Sequence, residues 1–164
     1  MANTQPKRVV EVQASLFSCP ESGAVLTAGV DEAGRGCFAG PVVAGAVIFS
    51  DGFDLVGLDD SKALSPDERA SLAVDIRALA LGWGVGLAWM DEIAKLNILQ
   101  ASLLSMARAI AAMRRRMREK GAVPGIVMVD GTHVIPAQYY RMFGIPLPEQ
   151  HAVIDGDALV PSIS

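Results

Sequence analysis

Three apolar segments of this chain each run into acidic residues followed closely by a glycine, and this recurrence constrains the fold more than any other feature. The segments end in GVDEAGRG at residues 29–36, in VMVDG at residues 127–131 and in VIDGD at residues 153–157. Short apolar runs that end at glycine are typical of buried strands. Because neighbouring strand ends of one sheet lie side by side, the sequence predicts a sheet with carboxylates at one edge.

Two helical patterns alternate with the strand patterns. Ser65, Pro66 and Glu68 give the first helix a capping box with proline in its first turn, and its apolar face is predicted to be Leu72, Ile76 and Leu79. A second helix is predicted over 91–120, with a possible break near Asn97. Its apolar stripe alternates steps of four and three and consists of Leu99, Leu103, Met106, Ile110, Met113 and Met117.

The remaining segments complete a single α/β domain. Strands are predicted at 24–30, 41–49, 82–90, 125–129 and 151–154. Strands mixed with helices predict a layered α/β domain around a mixed sheet. Residues 1–23 are predicted to form a loose N-terminal leader, and 24–164 the domain itself.

Composition limits the function only weakly. The net charge of −4 does not indicate a nucleic-acid binder, but local basic residues would suffice to contact phosphates, so binding is not excluded. The longest apolar run, 38–49, is too short to cross a bilayer. No secretory signal is visible, and the two cysteines lack metal-ligand spacing. These features predict a cytoplasmic protein without a membrane partner.

The acidic strand ends have two interpretations. Acidic residues at single strand ends commonly just meet water. Clustered carboxylates, in contrast, repel one another unless a cation compensates their charge, and oxygen ligands suit Mg²⁺ or Mn²⁺. The loop at residues 34–40 fits neither a Rossmann nor a Walker pattern. Its glycines either allow the positive φ of a hairpin or let the backbone approach a ligand closely.

Several motifs in the same order resemble the ribonuclease HII family. They are VDEAGRG at 30–36, AGPVVA at 39–44, LDDSK at 58–62 with Leu64 and Ser65, LNILQA at 96–101, VDG at 129–131, and GD at 156–157 followed by VPSIS at 160–164. The resemblance covers about residues 28–164.

The resemblance implies a ribonuclease H-like mixed β-sheet flanked by helices and a metal-dependent endonuclease. Its substrates would be RNA/DNA hybrids and duplex DNA with embedded ribonucleotides, and cleavage would leave 5′-phosphate and 3′-hydroxyl ends. The enzyme would act as a monomer in DNA replication and repair. The resemblance makes four carboxylates both catalytic and ligands of two Mg²⁺ or Mn²⁺ ions, namely Asp31, Glu32, Asp130 and Asp157. It makes Gly34, Arg35 and Gly36 contact the ribose 2′-hydroxyl and Lys62 a phosphate.

Two features depart from the family pattern. Asp155 stands where the family has a basic residue, which makes it a rival of Asp157. The chain is also expected to lack the C-terminal part of the family, so the alternatives are an inactive fragment or a non-catalytic duplex-binding module. An aspartyl-phosphate phosphohydrolase, suggested by residues 130–132, is disfavoured because position 128 is Met where that chemistry needs a second aspartate.

Overall fold

The computed structural model describes residues 25–36, 39–50, 64–117 and 124–154. Five strands form one sheet in the order β3-β2-β1-β4-β5. Their bounds are β1 Leu26–Ala33, β2 Val42–Ile48, β3 Gly82–Ala88, β4 Pro124–Asp130 and β5 Glu149–Val153.

The sheet is mixed, as the sequence predicts. Strand β2 lies antiparallel to both β1 and β3, whereas β4 lies parallel to β1 and β5. Strand β1 continues three residues beyond the predicted end at Val30, because Ala33 still pairs with Val43 of β2. The prediction that Asp31 and Glu32 follow the strand is therefore wrong. Instead, they lie where β1 leaves its parallel partner β4 and keeps only its antiparallel one.

Among the described residues, four helices connect the strands: α1 Pro66–Leu79, α2 Met90–Leu96, α3 Ile98–Met117 and α4 Ala137–Met142. The predicted capping box of α1 is confirmed, since Ser65 Oγ accepts from the Glu68 amide and the Glu68 carboxylate accepts from the Ser65 amide. The predicted break is confirmed as well, since Asn97 separates α2 from α3 with a φ of 72°. No helix among the described residues has the length and apolar character that a membrane span requires.

Helix α3 covers one face of the sheet and forms the core with it. Five of its six predicted stripe residues are at most 4% exposed, and Leu99 packs beside them. Two glycines of β3 allow this close approach. A Cβ at Gly84 would lie 2.2 Å from the Ala109 carbonyl oxygen, and one at Gly86 would lie 2.1 Å from that of Ser105. Any side chain there would push the helix away from the sheet.

The opposite face of the sheet is covered less completely by the described residues. Helix α1 has no buried residue, and Leu79, predicted for its apolar face, is 52% exposed. Val85 of β3 is 48% exposed on the same side of the molecule. Within the described part of the chain, the apolar core therefore lies between the sheet and α3, and the other face stays open around the carboxylates.

Candidate active site

Strand pairing brings Asp31 and Asp130 together. In the parallel pair of β1 and β4, Val30 is opposite Val129, and the two aspartates are the next residue on each strand. Because side chains alternate along a strand, both carboxyl groups leave the sheet opposite the fully buried valines. The two groups share a hydrogen bond. The sequence prediction that acidic strand ends meet is confirmed for this pair.

The environment of Asp31 strongly favours its protonated form. Burial is the largest cause, and together with the negative charges of Asp130 and Glu32 it raises the pKa of this carboxyl from the ordinary 3.8 to about 7. The Glu32 amide donates to Asp31 Oδ1 at 2.6 Å, which opposes the rise without cancelling it. Asp31 therefore releases its proton only near neutral pH, unless a cation compensates its charge.

Glu32 is the third described carboxylate of the predicted set, and it already has a cation beside it. Arg35 Nη1 lies 2.9 Å from Glu32 Oε1, and the Glu32 side chain is only 11% exposed. Its charge still acts on Asp31, so the two groups are near neighbours. The described residues contain no group of three or more metal-binding side chains arranged around one point. The structure thus joins Asp31 with Asp130 and leaves Glu32 paired with Arg35.

The glycine loop follows β1 directly, and its two glycines differ. Gly34 has a φ of +91°, and a Cβ there would lie 3.1 Å from the Pro41 carbonyl oxygen. Only glycine fits this position without strain. Gly36 has no heavy atom within 4 Å of an added Cβ. The hairpin interpretation of the loop therefore accounts for the glycine at position 34 but not for the one at position 36.

Three residues named by the sequence analysis lie outside the described residues: Lys62, Asp155 and Asp157. Strand β5, which precedes Asp155 and Asp157 in the chain, is described, and it ends beside Asp130. Val153 of β5 is opposite Asp130, and its carbonyl oxygen accepts from the Gly131 amide at 2.8 Å.

A cavity of about 400 Å³ on the open sheet face contains Asp31 and Glu32. Its floor is formed by β2 and β3, and one wall by α1, including Arg77. At its far end Trp83 is flanked by two guanidinium groups, with Arg116 at 3.8 Å and Arg77 at 5.8 Å from the ring centroid. The cavity is therefore lined by carboxylates from β1 and by Arg77 from α1.

A larger cavity of about 580 Å³ lies beside α2 and α3, and Glu92 in its lining is paired with Arg108. Arg108 bonds both carboxylate oxygens of Glu92 at 2.6 and 2.7 Å. This hydrogen bonding lowers the pKa of Glu92 to about 2 despite some burial. Because the charges of Glu92 and Arg108 neutralise each other, the pair has the character of a structural ion pair between the two helices. Sequence analysis missed it, since nothing in the local pattern links positions 92 and 108.

Comparisons with known proteins agree with this architecture. A family model for ribonuclease HII matches residues 28–164. A ribonuclease HII of Nitratidesulfovibrio vulgaris is 44% identical over 139 residues, which are 84% of this chain and 60% of that protein. A ribonuclease HII of Verminephrobacter eiseniae is 46% identical over 147 residues, which are 90% and 63% of the two chains.

Similarity extends to the fold. The crystal structure of ribonuclease H2 from Pyrococcus horikoshii OT3 matches with a TM-score of 0.64 at 25% identity, covering 85% of this chain and 67% of that one. The predicted ribonuclease H-like fold is thereby confirmed. This chain spans 60% and 63% of the two curated relatives. By sequence and by fold, the chain belongs to the ribonuclease HII family.

Proposed function

We propose that the protein is an endoribonuclease of the ribonuclease H type. It would cleave the RNA strand of RNA/DNA hybrids and duplex DNA at embedded ribonucleotides, leaving 5′-phosphate and 3′-hydroxyl ends. Family membership supports the reaction class. The observation that carries the assignment to residues is the contact between Asp31 and Asp130 on adjacent parallel strands.

The donor set fits divalent metal ions. Asp31 and Asp130 offer only oxygen ligands, which Mg²⁺ and Mn²⁺ prefer. Burial and two neighbouring carboxylates raise the pKa of Asp31, so a bound cation would stabilise its ionised form. We propose that Asp31, Glu32, Asp130 and Asp157 together hold two such ions. When bound, the ions would supply the charge that activates water and stabilises the leaving oxygen.

The chain's own groups prepare this site in two ways. Asp31 is partly protonated near neutral pH, so ion binding should release protons. Arg35 occupies the Glu32 carboxylate at 2.9 Å. It would exchange this partner for the substrate backbone, which frees Glu32 to act as a ligand.

Substrate selection is assigned to the glycine loop. A ribonucleotide differs from a deoxyribonucleotide by its 2′-hydroxyl, and backbone groups can detect it only where side chains leave room. Gly36 has open space around its Cα, and Gly34 turns the chain there. We propose that Gly34, Arg35 and Gly36 contact the ribose and that Lys62 contacts a neighbouring phosphate.

A cleavage assay on duplex DNA with one ribonucleotide tests the proposal. Asp130→Asn should lower Mn²⁺- or Mg²⁺-dependent cleavage by more than about a hundredfold, because a ligand charge is lost while the shape is kept. Asp75→Asn is the matched control, since Asp75 is exposed on α1. It should cleave at the wild-type rate.

Two results would count against the proposal. If Asp130→Asn cleaves as fast as Asp75→Asn at saturating metal, Asp130 is not a ligand. If the wild-type chain binds the duplex without cutting it at any metal concentration, it is a duplex-binding module or an inactive fragment. Gel-shift titration of the same labelled duplex separates binding from cleavage.

A further inference from the structure

Gln150 makes an unusually complete set of hydrogen bonds with the chain segment that follows Asp130. It lies on β5 beside Val127 and is half-buried. Its Oε1 accepts from the Ile135 amide at 3.0 Å, and its Nε2 donates to the Ile135 carbonyl at 3.1 Å. The Tyr140 hydroxyl also donates to Oε1, at 3.1 Å. One side chain thus satisfies both backbone polar groups of a buried residue.

These contacts attach a loop to β5 at both of its ends. The loop consists of residues 131–135, between β4 and α4. At its start, the Gly131 amide donates to the Val153 carbonyl at 2.8 Å. At its end, Ile135 is 1% exposed and is held by Gln150. Both attachments are on β5, so the loop can move relative to this strand only if at least one of these contacts breaks.

We infer that Gln150 is a positioning residue for the carboxylate site, an inference that rests on the proposed function. Asp130 is the last residue of β4, and a strand end frays when the chain beyond it is free. By fixing Ile135, Gln150 keeps the loop in place and thereby keeps the Asp130 carboxylate against Asp31. The two hydrogen bonds with the Ile135 backbone need a donor and an acceptor on one planar side-chain group. An amide provides both, whereas a carboxylate or a thioether does not.

The first test measures whether Gln150 holds the loop. Gln150→Met keeps the length of the side chain and removes all three hydrogen bonds. Amide hydrogen exchange at Ile135 should become at least about fivefold faster in this variant. Gln100→Met is the matched control, because Gln100 accepts one hydrogen bond from Tyr139 on the same helix α4 and does not bond the loop. Exchange at Ile135 should stay at the wild-type rate there.

The second test measures whether the loop positions the carboxylates. Calorimetric titration with Mn²⁺ alone should give a dissociation constant about tenfold higher for Gln150→Met than for the wild type, as for other residues that orient a ligand. The control Gln100→Met should bind Mn²⁺ like the wild type even if it melts at a lower temperature. This readout separates positioning from stability, because a purely structural loss would affect the two variants alike.

A second variant covers the case in which Gln150→Met does not fold. Gln150→Glu keeps shape and acceptor but cannot donate to the Ile135 carbonyl at neutral pH, so it should weaken Mn²⁺ binding to a smaller extent. Wild-type Mn²⁺ affinity in either folded Gln150 variant would overturn the inference, as would unchanged exchange at Ile135. A wild-type chain that binds no Mn²⁺ at millimolar concentration would instead refute the proposed function. The exchange at Ile135 would still decide whether Gln150 holds the loop.

Discussion

Asp31→Asn should make the metal-free protein more stable at neutral and alkaline pH, although it removes a proposed catalytic residue. The carboxyl of Asp31 is partly buried beside Asp130 and Glu32, and its pKa is raised from 3.8 to about 7. Ionisation is therefore unfavourable in the folded state. An asparagine has nearly the same shape as the protonated carboxyl and cannot ionise.

The magnitude and the sign follow from proton linkage. Between pH 3.8 and about 7 the unfolded chain has released the proton that the folded chain still holds, so the stability of the wild type falls as pH rises through this window. The full difference corresponds to roughly 4 kcal/mol. Because Asp31 keeps some contact with solvent, we reduce this to about 2 kcal/mol. At pH 8 the variant should melt roughly 6 °C above the wild type.

Urea and thermal denaturation across pH 4 to 9 in the presence of a chelator would measure this effect. The quantity of interest is the difference between variant and wild type, because the other carboxylates titrate equally in both. Asp75→Asn, at an exposed position of α1, controls for the loss of one negative charge. The reasoning is refuted if the stability of Asp31→Asn relative to the wild type does not increase from pH 4 to pH 8. It is also refuted if the exposed control shows an equal increase.

Two glycine substitutions have matched controls, one on the neighbouring strand of the sheet and one in the same loop. Gly86→Ala should lower the free energy of unfolding by about 3 kcal/mol in urea denaturation, since its Cβ would meet the Ser105 carbonyl oxygen at 2.1 Å, whereas Gly45→Ala has open space and should change little. Gly34→Ala should cost about 1–3 kcal/mol because of its positive φ, and Gly36→Ala should leave stability unchanged. Equal losses within either pair would contradict the close approach or the strain assigned to it.

Features with a local cause could be predicted from the sequence. The start of α1 depends on Ser65, Pro66 and Glu68, which are adjacent in the chain, and the capping box forms as expected. The break at Asn97 was indicated by a weakening of the apolar period, and this residue adopts the positive φ that asparagine tolerates. In both cases the energy comes from neighbouring residues, so the pattern alone contains the information.

Features that depend on distant partners could not be predicted in the same way. Helix α4 was missed because its six residues follow Pro136 in a proline-rich stretch, and its two tyrosines are held by Gln100 and Gln150 from other elements. The register that places Asp31 beside Asp130 is a property of β1 and β4 paired in parallel. Sequence patterns indicated that the acidic strand ends meet, but not which carboxylate would be buried.

The two faces of the sheet carry different kinds of side chain. Adjacent rows of paired residues alternate between the faces. The row of Val30, Ala46 and Gly84 packs against α3, and the next row, of Asp31 and Gly45 with Val85, faces the cavity. Small side chains in the first row let the helix approach, and Gly45 in the second leaves space over Asp31. Substitutions in the first row should therefore alter the free energy of unfolding at every pH through packing. Substitutions in the second row should act through the ionisation of the carboxylates, so their effect on stability should depend on pH. The strand bearing Asp31 is thus fixed by packing on the face opposite the cavity.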